Sequence, residues 1–298
     1  MINICMVAYK RHEQIIKNLI NLNKKKVDLN IIVSIDWSED QLRIVRYIEA
    51  LSLDLNIEII KHDKNLGLKK HILSCGDLLV ERDYFSLIVI EDDIELSPFF
   101  DGYVHSALPL CDTNIAGVSL YSYDICELNS LCFRPFNDGY DNYFMQFPSS
   151  WGQLWTQPMW IDFRYWLEVN DCDYFNDKRL PDAVNNWPKT SWKKHFLRYM
   201  VDQDKYFMYP RISLTSNTGA DGSNHNSIYD KYKVDILNGN KKWNITSYDN
   251  SQSIYSSRFG FDKLTITEMA YMKYRENPLS FKEYLCMTYF ALKDRLLK

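Results

Sequence analysis

Short apolar runs alternate with stretches of helical periodicity across residues 1–121. Continuous apolar runs predict buried strands, whereas apolar residues three or four positions apart predict helices with one buried face. The strands are predicted at 3–8, 30–35, 57–61, 85–90 and 115–121, and the helices between them at 13–22, 41–51 and 69–80. This order is typical of an α/β fold, with a mostly parallel sheet, right-handed crossovers and flanking helices.

Another helix is predicted directly after the fourth strand. Ser97 is a residue type that caps helices, and Pro98 suits the first helical position. We therefore expect a helix to begin at Ser97–Pro98.

The pattern changes at about residue 122, where turn residues and aromatic residues become frequent. Helical stretches around 157–169 and 190–200 are separated by polar loops. We therefore divide the chain into an α/β half over 1–122, an aromatic-rich half over 123–260 and a helical segment over 261–298.

The end of the chain, over 278–298, predicts an amphipathic helix with more basic than acidic residues. Its apolar residues follow helical spacing: Phe281, Leu285, Tyr289, Leu292 and Leu296. Such a helix fits the surface of an anionic membrane. It fits equally well a helix that packs on the protein and exposes its basic side to solvent.

Composition narrows the class of protein. The net charge of −4 gives no basic field that would attract nucleic acid. The 7 cysteines form no Cys-x-x-Cys pair, and their odd, scattered arrangement favours reduced thiols over a disulfide framework. The first apolar run lacks the pattern of a signal peptide, and no window reaches the roughly 20 apolar residues of a membrane span. We expect a cytoplasmic protein.

Acidic residues follow two of the predicted strands: Asp36 follows the second, and Glu91, Asp92 and Asp93 follow the fourth. Ligands of open α/β sheets bind outside the carboxyl ends of the strands. Three adjacent carboxylates repel one another, and Mg²⁺ or Mn²⁺ would offset that repulsion. The alternative is an acidic turn that only caps the next helix.

The segment 85–100, which contains this acidic cluster, resembles the Asp-x-Asp region of GT-A-fold glycosyltransferases. The closest similarity is to the Glu-Asp-Asp form in the N-acetylglucosaminyltransferase I group, alongside family 2-like bacterial glycosyltransferases. Further segments with counterparts in that group extend the resemblance over residues 1–230. They are 7–11, 33–36, 65–71, 150–155, 187–192, 209–213 and 217–225.

The resemblance implies a GT-A fold with a nucleotide-sugar half over 1–122 and an acceptor half over 123–260, whose loop 217–225 closes as a lid. It implies that Asp93 binds the metal, with His225 as a second ligand unless His225 is an ordinary polar loop residue. The implied donor-binding residues are Ala8, Tyr9, Arg11, Asp36, Asn65, Glu91, Asp92, Trp151, Gly152 and Arg211. Arg211 has an alternative role as the partner of a local acid.

One position departs from the family pattern. The resemblance implies an acidic catalytic base just after the segment 187–192, where this chain has Lys193 and Lys194. An ammonium group does not accept a proton at neutral pH unless its pKa is strongly lowered. Asp221 in the predicted lid and Asp182 are the candidate bases.

The resemblance thus implies a metal-dependent hexosyl- or N-acetylhexosaminyltransferase that uses Mn²⁺ or Mg²⁺. The implied donor is a nucleotide-diphosphate sugar, with a UDP-sugar expected before other nucleotides. The expected acceptor is a hydroxyl of a glycan or a lipid-linked oligosaccharide in bacterial surface polysaccharide synthesis, such as O-antigen or capsule. Transfer with inversion is expected, at the inner face of the cell membrane and without nucleic acid. The alternatives are a carbohydrate- or nucleotide-binding pseudoenzyme and a sugar nucleotidyltransferase. The second lacks support because 8–14 contains no glycine for a phosphate loop.

Overall fold

The computed structural model describes residues 1–25, 27–170, 176–219 and 232–262, together with 282, 285, 286, 289, 292 and 293. The strands in this part of the chain are Ile2–Ala8 (β1), Leu29–Ile35 (β2), Asn56–Lys61 (β3), Ser86–Glu91 (β4), Ile94–Leu96 (β5), Ile115–Ser119 (β6), Asn142–Met145 (β7), Gln153–Thr156 (β8), Tyr206–Pro210 (β9), Thr215–Asn217 (β10) and Ile254–Tyr255 (β11). The α-helices are Glu13–Asn23 (α1), Gln41–Glu49 (α2), Gly67–Glu81 (α3), Asp101–Ala107 (α4), Gln157–Asn170 (α5), Asp182–Asn185 (α6) and Trp192–Asp202 (α7).

Nine of these strands form one sheet in the order β11-β7-β9-β6-β8-β4-β1-β2-β3. The β1, β2, β3 and β4 strands pair in parallel, whereas β8 pairs antiparallel with both β4 and β6. The expected α/β fold with a mostly parallel sheet and flanking helices is therefore confirmed. The predicted order did not include β8, which separates β4 from β6.

The register of the parallel strands brings their carboxyl ends to one edge. Val7 pairs with Glu91 across β1 and β4, and Ala8 pairs with Ile35 across β1 and β2. Every residue of β1 and β2 is buried, as expected for parallel strands covered on both faces. The residues that follow Ala8, Ile35 and Ile90 are therefore neighbours.

Helices cover the sheet through faces that their sequences define. In α1, the apolar residues Ile15, Leu19 and Leu22 are buried. Helix α3 packs against α5 so closely that a Cβ on Gly76 would lie 2.1 Å from the Trp160 ring. A glycine is needed there because the two helices leave no room for a side chain.

The aromatic residues of the second half form a packed cluster inside the sheet region. Tyr143 stacks on Tyr209 with ring centroids 5.2 Å apart, and Tyr123 lies edge-on to Phe259 at 5.3 Å. All four side chains are buried. Most of the aromatic content in this half therefore forms core, with few rings left for ligands.

The prediction of a helix beginning at Ser97–Pro98 is wrong, because α4 begins at Asp101. Residues 94–96 instead form β5, which pairs antiparallel with β10. The Ser97 amide donates to the Leu214 carbonyl at 2.8 Å, and its hydroxyl donates to the Leu237 carbonyl. These long-range hydrogen bonds hold Ser97 beside the paired strands β5 and β10, and α4 therefore begins only at Asp101.

Among the described residues, no helix is both long and apolar enough to cross a membrane. Most of the predicted amphipathic helix at 278–298 lies outside the described residues.

Candidate functional site

A cleft of about 750 Å³ opens at the carboxyl ends of β1, β2 and β4. One wall is formed by those strand ends and by the start of α3, and the opposite wall by residues before and within α7. The lining on the first wall includes Ala8, Tyr9, Arg11, Asp36, Asn65, Gly67, His71, Glu91, Asp92 and Asp93. The lining on the second includes Glu127, Trp151, Trp187, Trp192 and Lys193, while Asn217 lines the cleft beside the acidic cluster.

The acidic cluster lies at the base of this cleft with one arginine against it. Arg11 Nη2 lies 2.5 Å from Asp92 Oδ1, and Arg11 Nη1 lies 3.4 Å from Asp93 Oδ2. The Tyr9 amide donates to the other Asp92 oxygen at 3.1 Å. Because Tyr9 and Arg11 directly follow β1, the parallel register itself places them beside Asp92.

The cluster carries more negative charge than Arg11 balances. Burial, together with the neighbouring Asp93 and Asp92 carboxylates, raises the pKa of Glu91 to about 8. Burial also raises the pKa of Asp93, against the opposing effect of Arg11. Both shifts reflect the burial of adjacent carboxyl groups, whose ionised forms an added positive charge would stabilise.

The chemistry of the site fits a divalent cation shared with a phosphate ligand. Asp92 and Asp93 supply hard oxygen donors of the type that Mg²⁺ and Mn²⁺ prefer. No group of three or more acidic, histidine or cysteine side chains surrounds a single point within the described residues. Mg²⁺ sites with only one or two carboxylates are usual where substrate phosphates complete the shell.

Asp36 organises the turn that begins α3. Its Oδ1 accepts from the Leu66 amide at 2.8 Å and from the Trp37 amide at 2.8 Å, and its Oδ2 accepts from the Gly67 amide at 3.1 Å. Gly67 has φ of +71°, in the left-handed region that favours glycine. Asp36 lines the cleft, but its oxygens already hold this turn, so its contact with a base or ribose stays a prediction.

The opposite wall centres on Lys193. Its Nζ donates to Glu127 Oε2 at 2.6 Å and lies 4.9 Å, 5.2 Å and 5.4 Å from the ring centroids of Phe147, Trp151 and Trp187. Burial lowers the pKa of Lys193, while Glu127 opposes the shift. A buried ion pair thus faces the acidic cluster across the cleft.

The start of the predicted lid is fixed to the acidic cluster. The Thr218 amide and hydroxyl donate to the Asp93 carbonyl at 2.9 Å and 2.8 Å, and Asn217 lines the cleft. Asp221 and His225, predicted as candidate base and metal ligand, lie outside the described residues.

Three of the predicted site residues do not line the cleft. The Arg211 guanidinium donates to the carbonyls of Pro135, Phe136 and Tyr140 and pairs with Asp138, so the alternative of a local acid partner fits it. The Asp182 side chain is 85% exposed and lies 3.6 Å from Lys293. Neither residue lines the cleft.

Gly152 is the third of these residues. It adopts φ of +97°, and a Cβ there would lie 2.8 Å from the Thr215 side chain. Its carbonyl accepts from the Leu120 amide at 2.9 Å. Gly152 therefore allows Trp151 to reach the cleft while the backbone passes close to β10, and a direct contact with the donor stays a prediction.

Sequence reasoning missed Glu127, which lines the cleft although it belongs to no motif. Its partner Lys193 lies 66 positions away in the chain. The available signal was the departure from the family pattern at Lys193, because a buried ammonium requires a carboxylate partner.

No family model matches the chain, and no curated protein matches it. Among solved structures, S. aureus TarS 1-349 is 15% identical with a TM-score of 0.42, and the match covers 72% of this chain and 60% of that one. The mannosyltransferase PcManGT from Pyrobaculum calidifontis, in complex with GDP-Man and Mn²⁺, is 14% identical with a TM-score of 0.34, covering 61% and 50%. This chain thus spans less than two thirds of either structure. Similarity at this level assigns no activity to it.

Proposed function

We propose that this chain is a glycosyltransferase that takes its sugar from a nucleotide-diphosphate donor bound in the cleft. The observation that carries the proposal is the buried cluster of Glu91, Asp92 and Asp93, which faces a cleft of about 750 Å³ at the strand ends. Catalysis of transfer requires that charge developing on the leaving diphosphate be stabilised. A site with excess carboxylate, one guanidinium and space for a ligand suits a cation held jointly by protein and diphosphate.

Each side chain has a separate task in this proposal. Asp93 and Asp92 would hold the Mn²⁺ or Mg²⁺ ion, which when bound neutralises charge on the diphosphate. Arg11 orients both carboxylates. Trp151 and Trp187 line the opposite wall, and the partly exposed Trp187 ring offers apolar surface to a sugar ring. The acceptor hydroxyl would therefore approach from the side of α7.

The donor is proposed to be UDP-linked, and the acceptor to be a glycan or a lipid-linked oligosaccharide used in surface polysaccharide synthesis at the cytoplasmic face of the membrane. The membrane part of this proposal depends on residues 278–298. Unchanged association of a 1–277 fragment with anionic vesicles would overturn that part.

The test is release of nucleoside diphosphate from a panel that includes UDP-N-acetylglucosamine, UDP-glucose and GDP-mannose, with and without Mn²⁺. We expect one donor to be turned over with Mn²⁺, and Asp93→Asn to lower the rate by at least about 100-fold, the scale of one electrostatic contribution to the transition state. Asp162→Asn is the matched control, because Asp162 is 57% exposed and does not line the cleft. Nucleotide binding without turnover of any donor would instead support the binding pseudoenzyme.

A further inference from the structure

The position where the resemblance implies an acid is occupied by Lys193, and the fold brings a carboxylate to its ammonium from another element. Glu127 lies in the loop after β6, and its Oε2 is 2.6 Å from Lys193 Nζ. We propose that Glu127 is the general base that deprotonates the acceptor, a role that rests on the proposed transferase function. The carboxylate of this wall would then come from residue 127 instead of from α7.

Only one of the two carboxylate oxygens of Glu127 accepts hydrogen bonds from the described residues. Lys193 Nζ donates to Oε2 at 2.6 Å, and the Tyr123 hydroxyl donates to the same oxygen at 2.8 Å. Oε1 receives no hydrogen bond from the residues that the structure describes. The side chain is 14% exposed and lines the cleft. One oxygen is therefore fixed by the protein while the residue still faces the ligand space.

The surroundings of Glu127 suit a base. Lys193 and Tyr123 both donate to Oε2, so Oε1 is the oxygen that would take the acceptor proton. A base must also be held in a fixed orientation toward the hydroxyl, and two donors on one oxygen provide that orientation. Trp151 and Trp187 line the same wall, where an acceptor sugar would lie against them.

The transfer step balances without any further reactant. The acceptor oxygen forms a bond to the anomeric carbon, and the bond from that carbon to the diphosphate oxygen breaks. The electron pair of the broken bond leaves with the diphosphate. The acceptor proton moves to Glu127 Oε1, from which it passes to solvent after product release.

The experiment separates a base from a residue that only neutralises Lys193. Release of nucleoside diphosphate and binding of UDP are measured with the full chain for the wild type, Glu127→Gln and the double variant Glu127→Gln with Lys193→Met. Glu127→Gln alone leaves the buried Lys193 ammonium without a carboxylate partner, which can impair folding. The double variant also removes that ammonium, so a loss of turnover in it cannot come from an unpaired buried charge. Glu58→Gln is the control, since Glu58 is an exposed partner of Arg82 and does not line the cleft. Thermal unfolding checks that each variant folds.

We expect both Glu127 variants to lose at least about 100-fold in turnover, within the usual range for a general base, while UDP affinity changes by less than about threefold. Recovery of the double variant to within about tenfold of the wild type would overturn the proposal, because Glu127 would then act only through Lys193. Unchanged turnover in Glu127→Gln would also overturn it. If the wild type itself binds UDP but turns over no donor, the transferase function fails and the base role fails with it.

Discussion

Arg11 Nη2 lies 2.5 Å from Asp92 Oδ1, and the same guanidinium reaches Asp93 at 3.4 Å. Asp92 and Asp93 are buried, whereas the Arg11 side chain is 28% exposed. Arg11 therefore balances part of the negative charge of the acidic cluster, and a bound metal ion would balance more of it.

Arg11→Met should destabilise the protein and increase its response to metal. Removing one partner of a largely buried pair leaves the other charges uncompensated, and we expect a loss of about 2 kcal/mol in the free energy of unfolding. Mn²⁺ should recover a larger share of stability in the variant than it adds to the wild type, because the cation replaces the missing charge. Urea unfolding with and without MnCl₂ measures both effects.

Arg43→Met is the control for this measurement, because Arg43 forms an exposed pair with Asp40 and should matter by less than about 1 kcal/mol. An equal response to Mn²⁺ in the wild type and in Arg11→Met would show that the cation does not bind at the acidic cluster.

Arg211→Met should affect folding and leave nucleotide binding unchanged. The Arg211 guanidinium holds three backbone carbonyls of the loop 135–140 as well as Asp138. Three part-buried carbonyls would lose their donor, and the Asp138 carboxylate is only 3% exposed, so we expect a loss of about 3 kcal/mol in the free energy of unfolding. Urea unfolding measures the loss, and titration of the folded variant with UDP should give the wild-type Kd. A weakened Kd at unchanged stability would instead make Arg211 a phosphate ligand.

The contrast between Arg211 and the acidic cluster shows what sequence can predict here. Glu91 to Asp93 could be assigned because a continuous apolar strand fixes where the chain reaches the sheet edge, and ligands bind at such edges. Arg211 also follows a strand, β9, but its role depends on a loop that begins 76 positions earlier. The sequence around Arg211 contains no local pattern that indicates this long-range contact.

The same dependence on distant parts of the chain explains the two errors in the predicted secondary structure. The four residues of β8 are too few to show a period, and the strand is defined by pairing on both sides with β4 and β6. The predicted helix start at Ser97 had suitable local chemistry, since Ser97 Oγ does accept from the Phe99 amide at 3.1 Å. Pairing of β5 with β10 outweighed it. Glu127 belongs to no motif and its partner Lys193 is 66 positions away, so the sequence indicated only that a carboxylate would have to accompany Lys193.

Gly76→Ala tests the close packing of α3 on α5. A Cβ at residue 76 would lie 2.1 Å from the Trp160 ring, and that ring is fully buried. Either the ring or the helix must shift, and overpacking of this kind costs about 1–3 kcal/mol. Gly239→Ala is the matched control, because nothing lies within 4 Å of a Cβ there. Thermal unfolding should show a clear fall in Tm for Gly76→Ala alone, and equal Tm values for the two variants would contradict the packing.

Asp177 should contribute stability that depends on acid pH. The hydrogen bond from Arg179 lowers the pKa of Asp177 below its ordinary value of 3.8, with Arg198 as a further nearby cation. A carboxyl group whose pKa is lower in the folded state stabilises the protein above the unfolded-state pKa, and this contribution disappears as pH falls through the folded-state pKa. The difference in unfolding free energy between the wild type and Asp177→Asn should therefore be largest near neutral pH and should shrink as pH falls below about 4 and through the lowered folded-state pKa. Urea unfolding across that range measures the difference, with Asp162→Asn as an exposed control. A difference that stays constant with pH would mean that the loss comes from packing and not from the charge of Asp177.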